Sequence, residues 1–318
     1  MWERLAGDEP GGSCLAPNVE ARWGFDTTHV GVGDVHPFSR MVQNNAGLYW
    51  VYYFGGDANV PPEGSPAPAN VVGTAMSIGV AVSNDGVHWK RVEGDHSSGA
   101  VLEPKEGQLF VGWPQVIMTS VEPEAWRMYY HALNVESRRF EIGLATSGDG
   151  MRWEHAEGPC LAPGPDGAFD CGGVSARCVL RDPASSSGSG GGGGWLMFYE
   201  AQDAARRHTI GLARSADGVA WVRGDAPVFE PSDASDASDA CSDGGDGGDG
   251  ARGGAWDGAA VARPWVVPLD DGSAMLYYLG RGEAPADGGA APSQGIGIAR
   301  SDGADWTKWI RVDPDAAL

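Results

Sequence analysis

Three aspartates in this chain share one local pattern: each follows an aromatic residue and precedes an apolar stretch. The pairs are Phe25-Asp26, Phe169-Asp170 and Trp256-Asp257, each with its aspartate four residues before a valine. Carboxylates that converge from separate parts of a fold shift one another's pKa values apart, leaving one proton donor and one ionised partner. Cleavage of a glycosidic bond uses such a pair. The alternative is that each aspartate braces the entrance of a strand, which is the simpler account of any single one.

Asp34 and His36, in "GVGDVHPF", are further candidates for chemistry because their position is polar here. The equivalent position of Asp34 is held by Gln115, Cys178 and Trp265 in the other copies of the pattern. A carboxylate at a position where most counterparts are bulky or apolar suggests a role in acid/base catalysis. His36 is then a candidate for binding the substrate. The alternative is a polar group at the end of a strand.

Glu200, in "MFYEAQD", is a third candidate acid for the same reason. Its counterparts in the other copies are Phe54, His131 and Leu279. Trp113 and Arg263 share another column of the alignment, where a tryptophan face suits a sugar ring and a guanidinium suits hydroxyls or a carboxylate. Packing residues are the alternative for both.

The elements that position these residues follow from a repeat. The phrase "IGLATSGDGMRW" from Ile142 recurs from Ile78 and Ile210, and in shorter form from Ile296. The aligned tryptophans are Trp89, Trp153, Trp221 and Trp306. Each copy predicts four strands: an apolar V-x-x-P-x-V strand, an aromatic strand, the "IGLA" strand, and a short strand after an Asp-Gly turn.

Four-stranded repeats of this length are typical of a β-propeller. We predict an all-β, five-bladed type of propeller that forms one domain over residues 1–318. Its full modules cover about 25–94, 107–158, 168–225 and 255–312. The opening "WERLAGDEPGGSCLAP" is similar to "WEHAEGPCLAP" from Trp153, so we predict the last strand of an incomplete N-terminal blade. Residues 185–194 and 231–254 are flexible inserts by composition.

Charge and composition exclude several classes of function. The chain has 22 Lys and Arg against 43 Asp and Glu, a net charge of −21. A surface of this sign repels nucleic acid and anionic membranes, so neither is an expected partner. The sequence has no apolar run long enough to cross a bilayer and no apparent leader, which predicts a soluble chain.

Cofactor and metal sites are not expected either. Five cysteines without paired spacing indicate neither a zinc site nor a disulfide framework, and lone histidines such as His29 and His36 are more often structural.

The whole module pattern, with its V-x-x-P-x-V, "MYY" and "IGLA.S.DG..W" segments, resembles the five-bladed propeller superfamily of arabinanases, levansucrases and invertases, including glycoside hydrolase families 32 and 43. The resemblance implies a nucleophile or base at Asp26 or Asp34, a stabilising acid at Asp170 and a proton donor at Glu200. The Asp-Pro motif of those families is not present on any apolar strand of this chain. The sialidase box is less similar, since this chain has one residue fewer between Asp and Gly.

Two functions follow as hypotheses, both with a saccharide as substrate or ligand. The first is a glycoside hydrolase-like propeller with acid/base carboxylates in its funnel, among them Asp26, Asp34, Asp170, Glu200 and Asp257. It requires two carboxyl groups about 5 to 10 Å apart. The second is a non-catalytic propeller that binds carbohydrate or serves as a scaffold.

Overall fold

The computed structural model describes residues 5–37, 48–61, 64–67, 71–119, 126–183, 193–232, 256–283, 291–303 and 306–312. The described residues form sixteen strands and one short 3₁₀ turn, Pro10–Gly12, with no α-helix among them. The strands are β1 (His29–Pro37), β2 (Tyr49–Gly56), β3 (Met76–Ser83), β4 (Lys90–Val92), β5 (Gln108–Met118), β6 (Trp126–Asn134), β7 (Phe140–Ser147), β8 (Glu154–His155), β9 (Gly173–Arg181), β10 (Trp195–Gln202), β11 (His208–Ser215), β12 (Val222–Arg223), β13 (Ala260–Pro268), β14 (Ala274–Arg281), β15 (Gln294–Ser301) and β16 (Trp309–Arg311).

These strands form four meanders, each of four antiparallel strands in sequence order. The first module is β1–β4, the second β5–β8, the third β9–β12 and the fourth β13–β16. A single parallel pair, His208 with Ala260, joins the third and fourth modules into one sheet. Every module therefore begins with the predicted apolar strand and ends with a short strand of two or three residues.

The chain divides into two compact units, Met1–Leu161 and Ala162–Leu318. In the first unit, the apolar side chains of the first two modules form one core that includes Tyr52, Ile78, Val111 and Met128. In the second unit, the third and fourth modules share a core. The two middle strands of the first three modules are buried along most of their length. In the fourth module, buried residues alternate with more exposed ones along β14.

The turn between the third and fourth strands uses the same hydrogen bonds in three modules. In the second module the Ser147 hydroxyl accepts from the amides of Asp149 and Gly150, while Asp149 Oδ1 accepts from the amides of Met151 and Arg152. The first and third modules repeat this arrangement around Asp85 and Asp217. The predicted turn is confirmed, and the glycine has positive φ in each copy, 75° to 77°.

The fourth module corrects the alignment of tryptophans. In the strand register, Ser301 pairs with Trp309 and Ala299 with Arg311, the same register that pairs Ala81 with Arg91 in the first module. Trp309, rather than the expected Trp306, is therefore the counterpart of Trp89. Trp306 lies in the longer turn, almost fully buried, and donates to the carbonyl of Gly272.

The glycine of each "IG" pair has a packing reason. A Cβ built on Gly143 would overlap the Tyr130 ring, and the same holds in the third module for Gly211 and Tyr199. The tyrosine of the second strand lies across this glycine in all four modules. The repeat keeps glycine at this position because any side chain would displace a buried ring.

The predicted N-terminal strand falls on residues that lie outside the described part of the chain. Residues 5–28 contain the Pro10–Gly12 turn and no strand, and the equivalents of β8, Glu3 and Arg4, lie outside the described residues. Most of the two predicted inserts, residues 185–194 and 231–254, also lies outside the described residues. The described part of the inserts is Gly193, Gly194, Pro231 and Ser232.

The described cysteines form no disulfide bond with one another: they are Cys14, Cys160, Cys171 and Cys178. Cys241 lies outside the described residues. No helix in the described ranges is long and apolar enough to span a bilayer.

Candidate functional site

The first strand of every module contains an irregularity at or next to the positions that sequence comparison selected. Pairing shifts between Val32 and Asp34 in β1, and between Gly112 and Gln115 in β5. In β9 and β13 the shift lies near residues 175–176 and 263–264. Such bulges re-aim side chains and are frequent beside active sites.

Two bulge residues have left-handed backbone conformations that only glycine adopts readily. Trp113 has φ of 48° and Arg263 has φ of 51°. Backbone strain of this kind costs about 1–3 kcal/mol and persists where the surrounding structure enforces it, often at ligand sites. The shared column of Trp113 and Arg263 is therefore a structural feature as well as a sequence one.

In the first unit, the Trp113 side chain is packed into an aromatic cluster rather than standing alone. Its ring centroid lies 4.4 Å from that of His131 in a stacked geometry, and 4.2 Å from that of Phe54. Phe110 and Phe140 complete the cluster around His131. The side chain of Trp113 stays half-buried, which leaves part of it open to solvent.

Asp34 and His36, the predicted pair in the first unit, are in contact. His36 Nε2 lies 3.3 Å from Asp34 Oδ2, and that same oxygen accepts from the amide of Val116 at 2.9 Å. Asp34 Oδ1 accepts from the amide of Val35. The carboxylate therefore connects the first strands of the first and second modules.

The third module shows that this connection is a recurring one. Cys178, the counterpart of Asp34, accepts from the amide of Val266 in the fourth module through its sulfur, at 3.3 Å. The unusual polarity of Asp34 therefore has a structural use, in addition to any chemical one. About one sixth of its side chain stays exposed.

In the second unit, Glu200 is held at the junction of three strands. Its Oε1 lies 2.8 Å from His208 Nδ1, and its Oε2 accepts from the amide of Arg263 at 3.3 Å. Pairing along β10 leaves Ser175 and Ala176 opposite Glu200, so the carboxylate sits at the bulge. Its side chain is 14% exposed, and thus both fixed and accessible.

The three aspartates of the aromatic-Asp motif are buried in a different setting. Each carboxylate accepts from a tyrosine hydroxyl of the second strand and from an arginine of the fourth. The pairs are Tyr53 and Arg91 at 2.9 and 2.7 Å on Asp26, Tyr199 and Arg223 at 3.0 and 2.6 Å on Asp170, and Tyr278 and Arg311 at 2.8 and 2.9 Å on Asp257. We call each set a Tyr-Asp-Arg brace.

Each brace also fixes the chain that enters the module, because its arginine donates to a carbonyl there. Arg223 donates to Ala162 and Arg311 to Glu230, both at 2.6 Å, and Arg91 donates to Ala16. Burial opposes ionisation of Asp257, yet hydrogen bonds from Ser232, Arg311 and Tyr278 lower the pKa of its carboxyl.

The bracing interpretation of the sequence motif therefore accounts for the contacts of Asp26, Asp170 and Asp257. The Asp170 and Asp257 side chains are fully buried and that of Asp26 nearly so. A carboxylate enclosed in this way has no face left for a sugar.

The second module reaches the same arrangement with a histidine. His155 pairs with Ala145 as Arg91 pairs with Ala81, and its Nε2 donates to the carbonyl of Glu103 at 2.8 Å. Its Nδ1 therefore accepts from the Tyr130 hydroxyl at 2.7 Å. Burial lowers the pKa of His155, in keeping with a neutral ring.

The structure thus brings together Asp34 with His36, and Glu200 with Arg263. Trp113 contacts His131 and Phe54. Sequence reasoning missed the arginines of the braces, for which the signal was an arginine two residues after the aligned tryptophan, as in Trp221-Val222-Arg223. It also missed His208, whose counterparts are Met76, Phe140 and Gln294.

Among the described residues, no group of three or more His, Cys, Asp or Glu side chains is placed to hold a metal ion.

Comparison by sequence gives no relative: no protein-family model matches the chain, and neither does any curated protein sequence. Comparison by structure does. A glycosyl hydrolase from Bacteroides ovatus is similar with a TM-score of 0.60 and 17% identity, over 98% of this chain and 79% of that one. The fold is that of the propeller-type glycoside hydrolases.

Two further structures agree with this assignment. One comes from the GH130 family of mannoside phosphorylases, which contains glycoside hydrolases that target β-1,2-mannosidic linkages in Candida mannan. It has a TM-score of 0.58 and 18% identity, over 98% of this chain and 80% of that one. The other is a thermostable family-43 glycoside hydrolase. It has a TM-score of 0.52 and 15% identity, over 94% of this chain and 76% of that one. At 15–18% identity the likeness establishes the fold, and it confirms the predicted all-β propeller architecture.

Proposed function

We propose that the chain is a glycoside hydrolase-like propeller of the five-bladed type, which cleaves the O-glycosidic bond of a saccharide. The observation that carries the proposal is the setting of Glu200. Its carboxylate lies at a first-strand bulge, partly exposed, with an imidazole on one oxygen and a backbone amide on the other. Such hydrogen bonds fix a carboxyl group in one orientation, as proton transfer to a leaving group demands.

Glu200, in the second unit, is assigned the role of general acid. In the first unit, Asp34 is the candidate for a base or nucleophile. Glycoside hydrolysis needs one carboxyl group to protonate the leaving oxygen and another to act as base or nucleophile. Asp34 is partly exposed, while its hydrogen bonds from the amides of Val35 and Val116 hold it in place. The candidates for contacts with the saccharide are His36 and Trp113 in the first unit, and Arg263 in the second.

Asp26, Asp170 and Asp257 are left out of the catalytic set. Their carboxylates are enclosed by the Tyr-Asp-Arg braces, and the three-fold repetition of the motif fits a role in each module rather than one reaction centre.

The test is hydrolysis of arabino-, fructo-, galacto-, xylo- and β-1,2-manno-oligosaccharides by the wild type and by Glu200→Gln and Asp34→Asn. Each variant removes a proton donor or acceptor without changing side-chain size. We expect kcat to fall by about 10²- to 10⁴-fold in each, with the unfolding midpoint changed little for Glu200→Gln. Asp166→Asn, which alters an exposed carboxylate of the same unit as Glu200, is the matched control and should keep full activity.

Two outcomes would contradict the proposal. Full activity of Glu200→Gln on a substrate of the wild type would remove Glu200 from the acid role. A folded wild type that binds one of these saccharides and cleaves none would support the carbohydrate-binding alternative instead.

A further inference from the structure

Glu200 is the first member of a chain of three hydrogen-bonded side chains at the junction of β10 and β11. Gln202 and His208 face each other in the strand register. Gln202 Nε2 lies 2.9 Å from His208 Nε2, and His208 Nδ1 lies 2.8 Å from Glu200 Oε1. The imidazole therefore has the carboxylate on one nitrogen and the amide on the other.

This order determines where the protons are. An amide nitrogen only donates, so His208 Nε2 accepts and carries no proton. In the neutral ring the proton is then on Nδ1, which donates to Glu200, and Glu200 is a carboxylate. A different distribution becomes stable when the Gln202 amide turns by about 180° and offers its oxygen to Nε2. His208 then carries a proton on Nε2, and either Nδ1 or Glu200 carries the second one.

We propose that His208 is a positioning residue that exchanges a proton with Glu200, while the Gln202 amide selects the imidazole nitrogen that is protonated. The inference rests on the acid role proposed for Glu200 and extends it. In the pair that holds two protons, the proton on His208 Nδ1 passes to Glu200 Oε1, and Glu200 gives one proton to the glycosidic oxygen. The pair is then left with one proton on a neutral ring beside a carboxylate, and a proton from water restores the second.

On the strands packed against His208, Glu200 is the charged side chain bonded to the ring. The other charged residues of these strands and of the connecting turn are Arg177, Arg181, Asp203, Arg206, Arg207, Arg214 and Arg263. Of these, Arg207 pairs with Glu230, Arg214 with Asp182, and the Arg263 amide donates to Glu200 Oε2.

The tautomer of His208 is measured directly by NMR of protein labelled with ¹⁵N-histidine, whether or not a substrate is known. We expect the neutral ring to carry its proton on Nδ1, with the His208 signal assigned by its loss in His208→Asn. Gln202→Glu places a carboxylate opposite Nε2 and should raise the pKa of His208 by about one unit or more. Glu200→Gln should lower it.

Gln294→Glu is the matched control, because it adds the same charge at an exposed position of the same unit and should leave the His208 titration unchanged. A ring protonated on Nε2 at a pH above the His208 titration, where the pair holds one proton, would overturn the inference. So would a titration that is unmoved by both Gln202→Glu and Glu200→Gln.

Kinetics then separate a positioning role from a purely structural one. On a substrate cleaved by the wild type, His208→Asn should lower kcat by about 10- to 100-fold, with KM changed by less than about twofold. The pH profile of kcat/KM should move with Gln202→Glu in the direction of the His208 titration. An unchanged kcat in His208→Asn would overturn the role of His208, while Glu200→Gln would still report on the proposed function.

Discussion

Asp170 has no exposed surface, yet its carboxylate is matched by charge and by hydrogen bonds on one oxygen. Arg223 supplies the charge at 2.6 Å and Tyr199 a neutral donor at 3.0 Å. Removing one partner of a buried ion pair leaves the other charge uncompensated. The brace thus contributes to stability chiefly through the penalty for breaking it.

We expect Asp170→Asn to lower the free energy of unfolding by about 2–4 kcal/mol, below the upper range for buried pairs because Arg223 is partly exposed. Urea unfolding followed by tryptophan fluorescence measures the change. Asp166→Asn, four residues earlier and exposed, is the matched control and should cost less than about 0.5 kcal/mol. Equal stability of the two variants would contradict the brace.

His155 occupies the arginine position of the brace in the second module and makes that module sensitive to acid. Burial lowers the pKa of the folded ring from its ordinary value of 6.5, so the unfolded chain binds the proton more tightly. The stability from the neutral ring is therefore fully present above about pH 6.5 and is lost as pH falls through the folded pKa.

We expect the wild type to lose stability between about pH 7 and pH 5 by about 1.4 kcal/mol for each unit between the two pKa values. His155→Gln keeps a donor for Glu103 and an acceptor for Tyr130 but does not titrate, so its loss over this range should be smaller. Unfolding curves at both pH values measure the difference. Parallel pH dependences of the two proteins would refute the role of His155.

At the scale of elements, the turns between third and fourth strands have the same backbone conformation in two modules but different packing around it. Gly86 and Gly150 have the same left-handed φ, 77° and 76°. A Cβ on Gly86 would meet nothing within 4 Å, whereas a Cβ on Gly150 would lie 2.8 Å from the hydroxyl of Tyr52. That hydroxyl donates to the carbonyl of Gly150 and belongs to a fully buried ring.

We expect Gly86→Ala to cost about 1–2 kcal/mol, the price of left-handed backbone alone. Gly150→Ala should cost about 1–3 kcal/mol more, since it also displaces Tyr52 from its packing. Each variant is the control for the other, because both changes add one methyl group at the equivalent position of the turn. Equal losses in thermal or urea unfolding would show that the contact with Tyr52 carries no weight.

The strands were predictable because their signals are local. Aromatic strands, "IGLA" strands and Asp-Gly turns each depend on periodicity and turn chemistry within about ten residues. The brace was visible only in part: the aspartate has a sequence motif, but its arginine lies 53 residues away in the third module and 65 in the first. Trp306 misled the alignment because its longer turn moved the equivalent position to Trp309.

The candidate site was predictable where one module departs from the others. That criterion found Glu200 and Asp34, whose counterparts are mostly bulky or apolar. Applied to the strand that begins with His208, the same criterion would have found His208 too. The criterion did not reveal which groups these residues contact. Asp34, for example, accepts a hydrogen bond from the amide of Val116, which belongs to another module. Contacts between modules depend on how sheets pack, which periodicity within a strand does not encode.

For the molecule as a whole, repetition of sequence does not mean repetition of environment. Ile210 and Ile296 occupy the same position in the third and fourth modules of the second unit. Ile210 is fully buried in the shared core, where it pairs with Phe229, whereas Ile296 is 78% exposed. The third module therefore depends on this position and the fourth does not.

We expect Ile210→Ala to lower the free energy of unfolding by about 2–5 kcal/mol, because it leaves a cavity in the core. Ile296→Ala should cost less than about 1 kcal/mol, which is the difference in strand propensity that both variants share. Urea unfolding of both variants beside the wild type measures the contrast. A cost above about 2 kcal/mol for Ile296→Ala would mean that this side chain is covered in solution, and the exposure of the fourth module's face would then have to be revised.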